Sequence, residues 1–531
     1  MKDVIRGFVW LCVPLLAAFW FAGCPQDTVK TIRAETVAIT SPGVELEAGR
    51  HMKLEVEVLP QGASGYELVW TVDCESVAAV DREGTVTGKL QGSVTVTVTL
   101  RIDGVDVDSD QTELTVLQEG ASADSIDPVL LFNALRGLSV TTGGWADNAN
   151  DGAGIHYANA DAPIIICDER YPDPIHKLDA FTAALDRRAE GSPPTFIIIS
   201  GDIDLSRGTI TDDPGHFAGV TDHRVTQDRR FDIRSPTTTI IGINNARLMF
   251  GGLRINGNIN SSTMNIIIRN VTFWDARDTR PSPGLDGLLL TGNSRENDHG
   301  YDWPTGVWVD HVKFSSGATD FLLGGDWHDT LLNVTLGEIT VPNSRFTNAN
   351  EVLLVGGGDG GEFPAGATED ELLWLRSRRR VTLHNNYFHD ARTRMPRTRG
   401  TQMHMYNNYF RTIGTTAPGW SAGYVMGPGF NAHFVVQGNL FDAPIQQNRI
   451  LNTTFPGFNT AIVWSEHNAG VGVFVGGRVS TRVQDNDKPW EPGDFYDYTL
   501  NTDVAGLRTL IPAKAGPTLE TLADFTTNLR D

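Results

Sequence analysis

The sequence predicts an all-β protein in which a small sandwich precedes a long parallel β-helix. Three observations support this. Glycine is abundant, at 55 of 531 residues, and charged residues are moderate at 20%, which suits a turn-rich β protein better than a helical one. Residues 35–118 carry short alternating strands separated by turn signals. From residue 128 onward, an apolar strand followed by Asn-x-x-aromatic recurs without helical periodicity, and a repeat of that size means a solenoid.

The chain opens on a targeting segment. Lys2 and Arg6 precede an apolar run from Phe8 to Phe21, short for a membrane span and right for a signal h-region. The run closes in Phe21-Ala22-Gly23-Cys24, which resembles a bacterial lipobox. The resemblance implies a signal peptide over 1–23, lipidation at Cys24, a tether over 24–34, and export. The protein is then lipid-anchored at the outer membrane or cell surface, or secreted. Cys12 leaves with the signal, so Cys74 and Cys167 remain, in different domains, and read as buried thiols. No Cys/His spacing suggests zinc. A net charge of −22 argues against a nucleic-acid binder, which needs a basic face. Membrane contact is expected only through the lipid, and a monomer is expected.

In the sandwich, Lys53 to Val58, Glu67 to Trp70 and Ser93 to Val98 alternate with period two, so one face of each strand is buried. Trp70, Val77-Ala78-Ala79-Val80-Asp81, Gly84, Val86-Thr87-Gly88 and Gly92 resemble the bacterial Ig-like group 2 domain. The resemblance implies a spacer or weak adhesion module over 35–118. Residues 119–127 are a linker to a domain over 128–531.

The repeat runs through Asn265 to Phe273, Val307 to Phe314 (with Asp-His in place of asparagine), Ile339 to Phe346, Val381 to Phe388, Met403 to Phe410 and Phe434 to Phe441. Phe388 and Phe410 are 22 residues apart (410 − 388), and the other units are spaced as if loops were inserted. Asparagines at equivalent corners can stack, each amide bonding to the next, which makes them and their aromatics scaffold. Glu362 to Arg380 interrupts the repeat and reads as an inserted loop. Phe495 to Asp531 is expected to cap the last coil or pack along its side.

Eight arginines fall between 376 and 399 of this acidic chain. Such guanidinium forks suit a carboxylate polymer. Thr239 to Gly242, Gly251 to Ile255, Asn265 to Phe273, Val307 to His311, Arg394-Met395-Pro396-Arg397-Thr398-Arg399-Gly400 and His404 to Asn408 follow one another over about 200–445. In that order they resemble the pectate lyase superfamily of polysaccharide lyase family 1. The resemblance implies a right-handed parallel β-helix behind the Ig-like β-sandwich. It also implies a lyase that cleaves pectate, an acidic plant polysaccharide, by Ca²⁺-assisted β-elimination.

By the same resemblance Arg394 takes the C5 proton of the uronate. Arg399 binds a carboxylate, with Arg397 and His404 as further substrate contacts. Asp286, Asp329 and Asn333 would hold Ca²⁺, with Asp320 or Asp326 as alternatives. Asp310 reads as a scaffold residue. Asn333 stands where a carboxylate is usual, and Glu351 where a lysine is usual. These departures keep two rivals open: a lyase acting on methyl-esterified pectin, and a non-catalytic cell-surface β-helix that binds polysaccharide. A hydrolase would need paired carboxylates at a cleft, and no such pair can be placed.

Overall fold

The computed structural model describes residues 33–527 outside the segments 42–43, 48–50, 76, 90–91, 118–125, 149–154, 186–193, 208–228, 234–235, 258–264, 278–284, 293–302, 318–327, 358–367, 412–422, 443–449, 455–456, 471–476 and 479–487. The lipidation candidate Cys24 and the alternative metal ligands Asp320 and Asp326 lie outside the described residues. The chain divides into two compact units, 1–121 and 122–531.

In the first unit, Val44–Glu47, Val105–Leu117, Gly92–Ile102 and Glu67–Val72 form one sheet, and His51–Lys53, Thr85–Gly88 and Ala78–Val80 another. Alternation sets the core: Val86, Val94, Val96, Leu114 and Val116 are buried, whereas Thr85, Thr87, Thr95 and Thr115 are half-exposed. Gly84 has a left-handed φ of 82° and lies under Trp70, where a Cβ would come within 2.6 Å of the indole. Backbone geometry and packing therefore both require glycine there.

The second unit is a parallel β-helix with three walls. The first wall contains Ile266–Arg269, Val307–Asp310, Gly337–Pro342, Arg379–His384, Gln402–Tyr406, His433–Gln437 and Ile462–Glu466, paired in parallel. A two-residue corner leads each coil into the second wall, where Thr272–Trp274, Lys313–Ser315, Arg345–Glu351, Tyr387–Thr393, Tyr409–Phe410 and Leu440–Phe441 stack. The third wall holds Arg230–Ile233, Gly252–Asn256, Leu288–Thr291, Leu332–Val334, Leu353–Val355, Arg397–Arg399 and Gly427–Gly429.

The corner explains the sequence repeat. Asn270, His311, Asn343, Asn385, Asn407 and Gly438 all have φ between 46° and 60°, a conformation asparagine and glycine tolerate. The next residue points inward and builds a ladder. Asn386 Oδ1 accepts from the Ser344 amide, Asn408 Oδ1 from Asn386, Asn439 Oδ1 from Asn408 and Asn468 Oδ1 from Asn439, at 2.8–3.0 Å. Each of these asparagines also donates through Nδ2 to a carbonyl of the preceding coil. Two residues further on, Phe273, Phe314, Phe346, Phe388, Phe410 and Phe441 stack at centroid spacings of 4.6–5.1 Å. That spacing is the coil repeat itself. Asp310 is a scaffold residue: it accepts from Arg269 at 2.6 Å and from Asn343 at 3.1 Å, and meets His311 at 2.8 Å.

Helix Pro174–Leu185 buries Leu178, Phe181 and Leu185 over the first coil. The C-terminal stretch runs back along the side of the β-helix. Asn407 donates to Thr499 O, Arg345 to Pro512 O, Asn270 to Leu519 O and Arg269 to Phe525 O. The inserted segment is not wholly a loop. Glu369–Ser377 is helical, opened by a reciprocal Thr368–Glu371 capping box.

Candidate active site

Two groups of side chains lie on successive coils where the second wall turns into the third. The first is acidic. Asp286 is 3% exposed and accepts from the Thr330 hydroxyl at 2.7 Å and from Asn333 Nδ2 at 3.3 Å. Burial, and then the neighbouring Asp329 charge, push its carboxyl up to about 7. Arg230 approaches it to 3.7 Å. The Asn333 Oδ1 atom is buried with no hydrogen-bond partner among the described residues. Two carboxylates that repel each other, beside an unanswered amide oxygen, make a fitting donor set for a hard cation such as Ca²⁺. Among the described residues no three His, Cys, Asp or Glu side chains gather at one point.

The second group is basic. Leu353 N donates to Arg394 O at 2.7 Å, which sets Arg394 on the coil after Glu351. Arg394 has a left-handed φ of 60°, unusual for a long side chain, at the end of strand Tyr387–Thr393. Its guanidinium meets Glu351 Oε1 at 2.6 Å. Arg397 and Arg399 alternate with Thr398 along one strand, so both face out from the coil, yet neighbouring chain covers them to 6% and 8% exposure. Arg397 also hydrogen-bonds Tyr424 and, with Arg394 and Glu351, acts electrostatically on that phenol, whose proton affinity burial raises. On the third wall Asn333 pairs with Leu354 and Leu354 with Arg397. Asn333 and Arg397 are thus two rungs, roughly 10 Å, apart.

Other candidates go elsewhere. His404 is not part of this group. It lies on the first wall, facing out from the coil, and is covered by Tyr496 (3.1 Å to Nδ1) and Gln437 (2.8 Å to Nε2). Burial holds its imidazole down to about 3, so it is a neutral scaffold residue. The arginines around the inserted helix are also structural. Arg376 pairs with Glu369, Arg379 donates to Thr335 O, Arg380 pairs with Glu338, and Arg378 is buried against Trp303 and Trp374. Tyr424 belongs to the site although no sequence motif marks it.

Residues 121–460 match the pectate lyase family model, and 33–116 match the bacterial Ig-like domain (group 2). The chain belongs to the pectate lyase family. It is therefore a polysaccharide lyase carrying an Ig-like module. Pectate lyase A of Dickeya chrysanthemi is 28% identical over 347 residues, which is 62% of this chain and 77% of that protein. The pectate lyase of Bacillus subtilis is 26% identical over 223 residues, covering 40% of this chain and 49% of that one. A solved pectate lyase bound to a hexasaccharide shares the fold, with a TM-score of 0.52 and 17% identity over 72% of this chain and 98% of that chain.

Proposed function

We propose that this pectate lyase family member cleaves polygalacturonate by β-elimination with Ca²⁺ as cofactor, at the bacterial surface. The observation that supports this most is the placement of the Arg394–Arg397 group two coils from the Asp286–Asp329–Asn333 group, on one outer edge of the β-helix. Calcium held by Asp286, Asp329 and Asn333 would draw charge from a uronate carboxylate and make the neighbouring C5–H more acidic.

The chain's own residues do the rest. Arg397 and Arg399 present forked donors to carboxylates along the polymer. Arg394 receives the C5 proton, as the family resemblance implies. The C4–O bond breaks, the electron pair closes a C4=C5 double bond, and the leaving oxygen takes a proton from solvent. A guanidinium that accepts a proton must first pass one on, and the Glu351 carboxylate, 2.6 Å away, is placed to take it. No water is consumed, which separates this reaction from hydrolysis.

The test uses the chain from residue 25 with polygalacturonate, read at the absorbance of the 4,5-unsaturated product. Product that forms with Ca²⁺ and stops with chelator is expected. No product from any polyuronide, together with measurable binding, would favour a non-catalytic polysaccharide-binding role. Membrane attachment through Cys24 is tested separately in the full chain. Cys24→Ser should move the protein from the membrane to the soluble fraction, and unchanged attachment would refute the anchor.

A further inference from the structure

We infer that the corner between the first and second walls carries a second saccharide site, built to take an acidic sugar through its carboxylate and adjoining hydroxyls. The site is separate from the catalytic edge, which lies between the second and third walls. The corner residues Asn270, His311, Asn343, Asn385 and Asn407 stack on successive coils under the C-terminal stretch. At both ends of this column that stretch engages the oxygen and the nitrogen of an asparagine amide. Asn407 donates to Thr499 O and accepts from the Asn501 amide, both at 2.9 Å. Asn270 donates to Leu519 O at 3.0 Å and accepts from the Leu519 amide at 3.1 Å. Between these clamps the chain leaves the corner. Helix Leu507–Lys514 moves onto the second wall, where Leu507 and Ile511 pack with Tyr387, Tyr409 and Leu440. The detour leaves a cavity of about 470 Å³ over His311, Asn343 and Asn385.

The groups facing this cavity define its ligand. Asn385 uses neither its amide oxygen nor its amide nitrogen among the described residues, and Asn343 donates to Asp310 alone. The clamps show what such an amide does on this column: it donates one hydrogen bond and accepts another. Two neighbouring ring hydroxyls answer that pattern, one accepting and the other donating. Lys514 is exposed at the cavity wall and makes no ion pair among the described residues. Its ammonium suits a carboxylate. Asp524 also lines the cavity, but its carboxylate already accepts from the Thr521 amide and hydroxyl, both at 2.8 Å. Leu510 and Ile511 offer an apolar wall to the C–H face of a sugar ring. A uronate residue brings the carboxylate, the vicinal hydroxyls and the apolar ring face together, and a cavity of this volume lies within the range of small-molecule sites.

The experiment measures binding of digalacturonate to the full chain by calorimetry with chelator present, which removes Ca²⁺ from the catalytic edge. Wild type and Arg397→Ala should bind alike, since Arg397 belongs to the other edge. Asn385→Gly keeps the left-handed corner, as Gly438 does on a later coil, and Lys514→Gln removes only the charge. Each should weaken binding by on the order of tenfold, while the rate on polygalacturonate with Ca²⁺ is unchanged. No binding by wild type, binding lost in Arg397→Ala, or binding unchanged in either corner variant overturns the inference. So does displacement of digalacturonate by an equal concentration of acetate or trialanine, which would make the corner a plain anion or peptide site. The lyase reading is decided separately by product formation, so either can fail alone.

Discussion

The asparagine corner and the Glu351–Arg394 edge are both columns of polar side chains on successive coils, and they are built on opposite plans. At the corner each coil contributes the same residue to the same task. Asn386, Asn408 and Asn439 are fully buried, and each uses its carbonyl and amide on neighbouring coils. At the edge every coil contributes something different: Asp286, then Asp329 and Asn333, then Glu351, then Arg394 with Arg397, then Tyr424. There the backbone takes a left-handed turn at an arginine, and the Asn333 oxygen lacks a partner among the described residues. Uniform satisfaction gives stability, while mixed charges and unmet hydrogen bonds leave capacity for a ligand.

Mutation should separate the two columns. Arg394→Ala should lower the lyase rate by on the order of 10³-fold while the melting temperature moves little, since both members of its ion pair are partly exposed. A rate within threefold of wild type would remove Arg394 from the chemistry. Asn408→Ala should do the reverse. It deletes a fully buried side chain that bonds to the coils on both sides and should cost about 3 kcal/mol in urea denaturation, with activity per folded molecule preserved. A loss of activity without a loss of stability would mean that the ladder is not purely scaffold.

A further effect concerns pH and belongs to the first wall. Burial holds His404 down to about 3 and His384 down to about 4. An unfolded imidazole titrates near 6.5, so between these values the unfolded chain binds more protons than the folded one. Stability is then complete above about pH 6.5 and is lost as pH falls. The slope approaches about 1.4 kcal/mol per pH unit for each imidazole. Urea midpoints measured from pH 7 to pH 5 should fall accordingly, and His404→Gln should flatten that decline. An unchanged slope would place the acid sensitivity elsewhere.

Much of the fold was legible because it is periodic. The apolar strands, the left-handed corner residues and the phenylalanine stack all recur along the chain, and repetition survives insertions of any length. The inserted helix has a signature in the Thr368–Glu371 capping box, but the insertion around it hides its short apolar pattern. The site was legible only in part. The arginine motif marks its own strand, and Glu351 stands out as a departure from the family pattern. His404 misled, because closeness in sequence does not tell which wall a strand joins or what later covers it. Tyr424 gave no signal.

The sequence by itself determined the coil: alternation fixes which side chains point inward, and the corner asparagines fix where the chain turns. Only the tertiary structure decided which side chains meet across coils. Residues in contact on a β-helix are separated in sequence by a whole turn plus whatever is inserted into it. Thus Glu351 meets Arg394, 43 positions away (394 − 351), and Asn333 meets Asp286, 47 positions away. Register and insertion length make those contacts, and no local pattern encodes either.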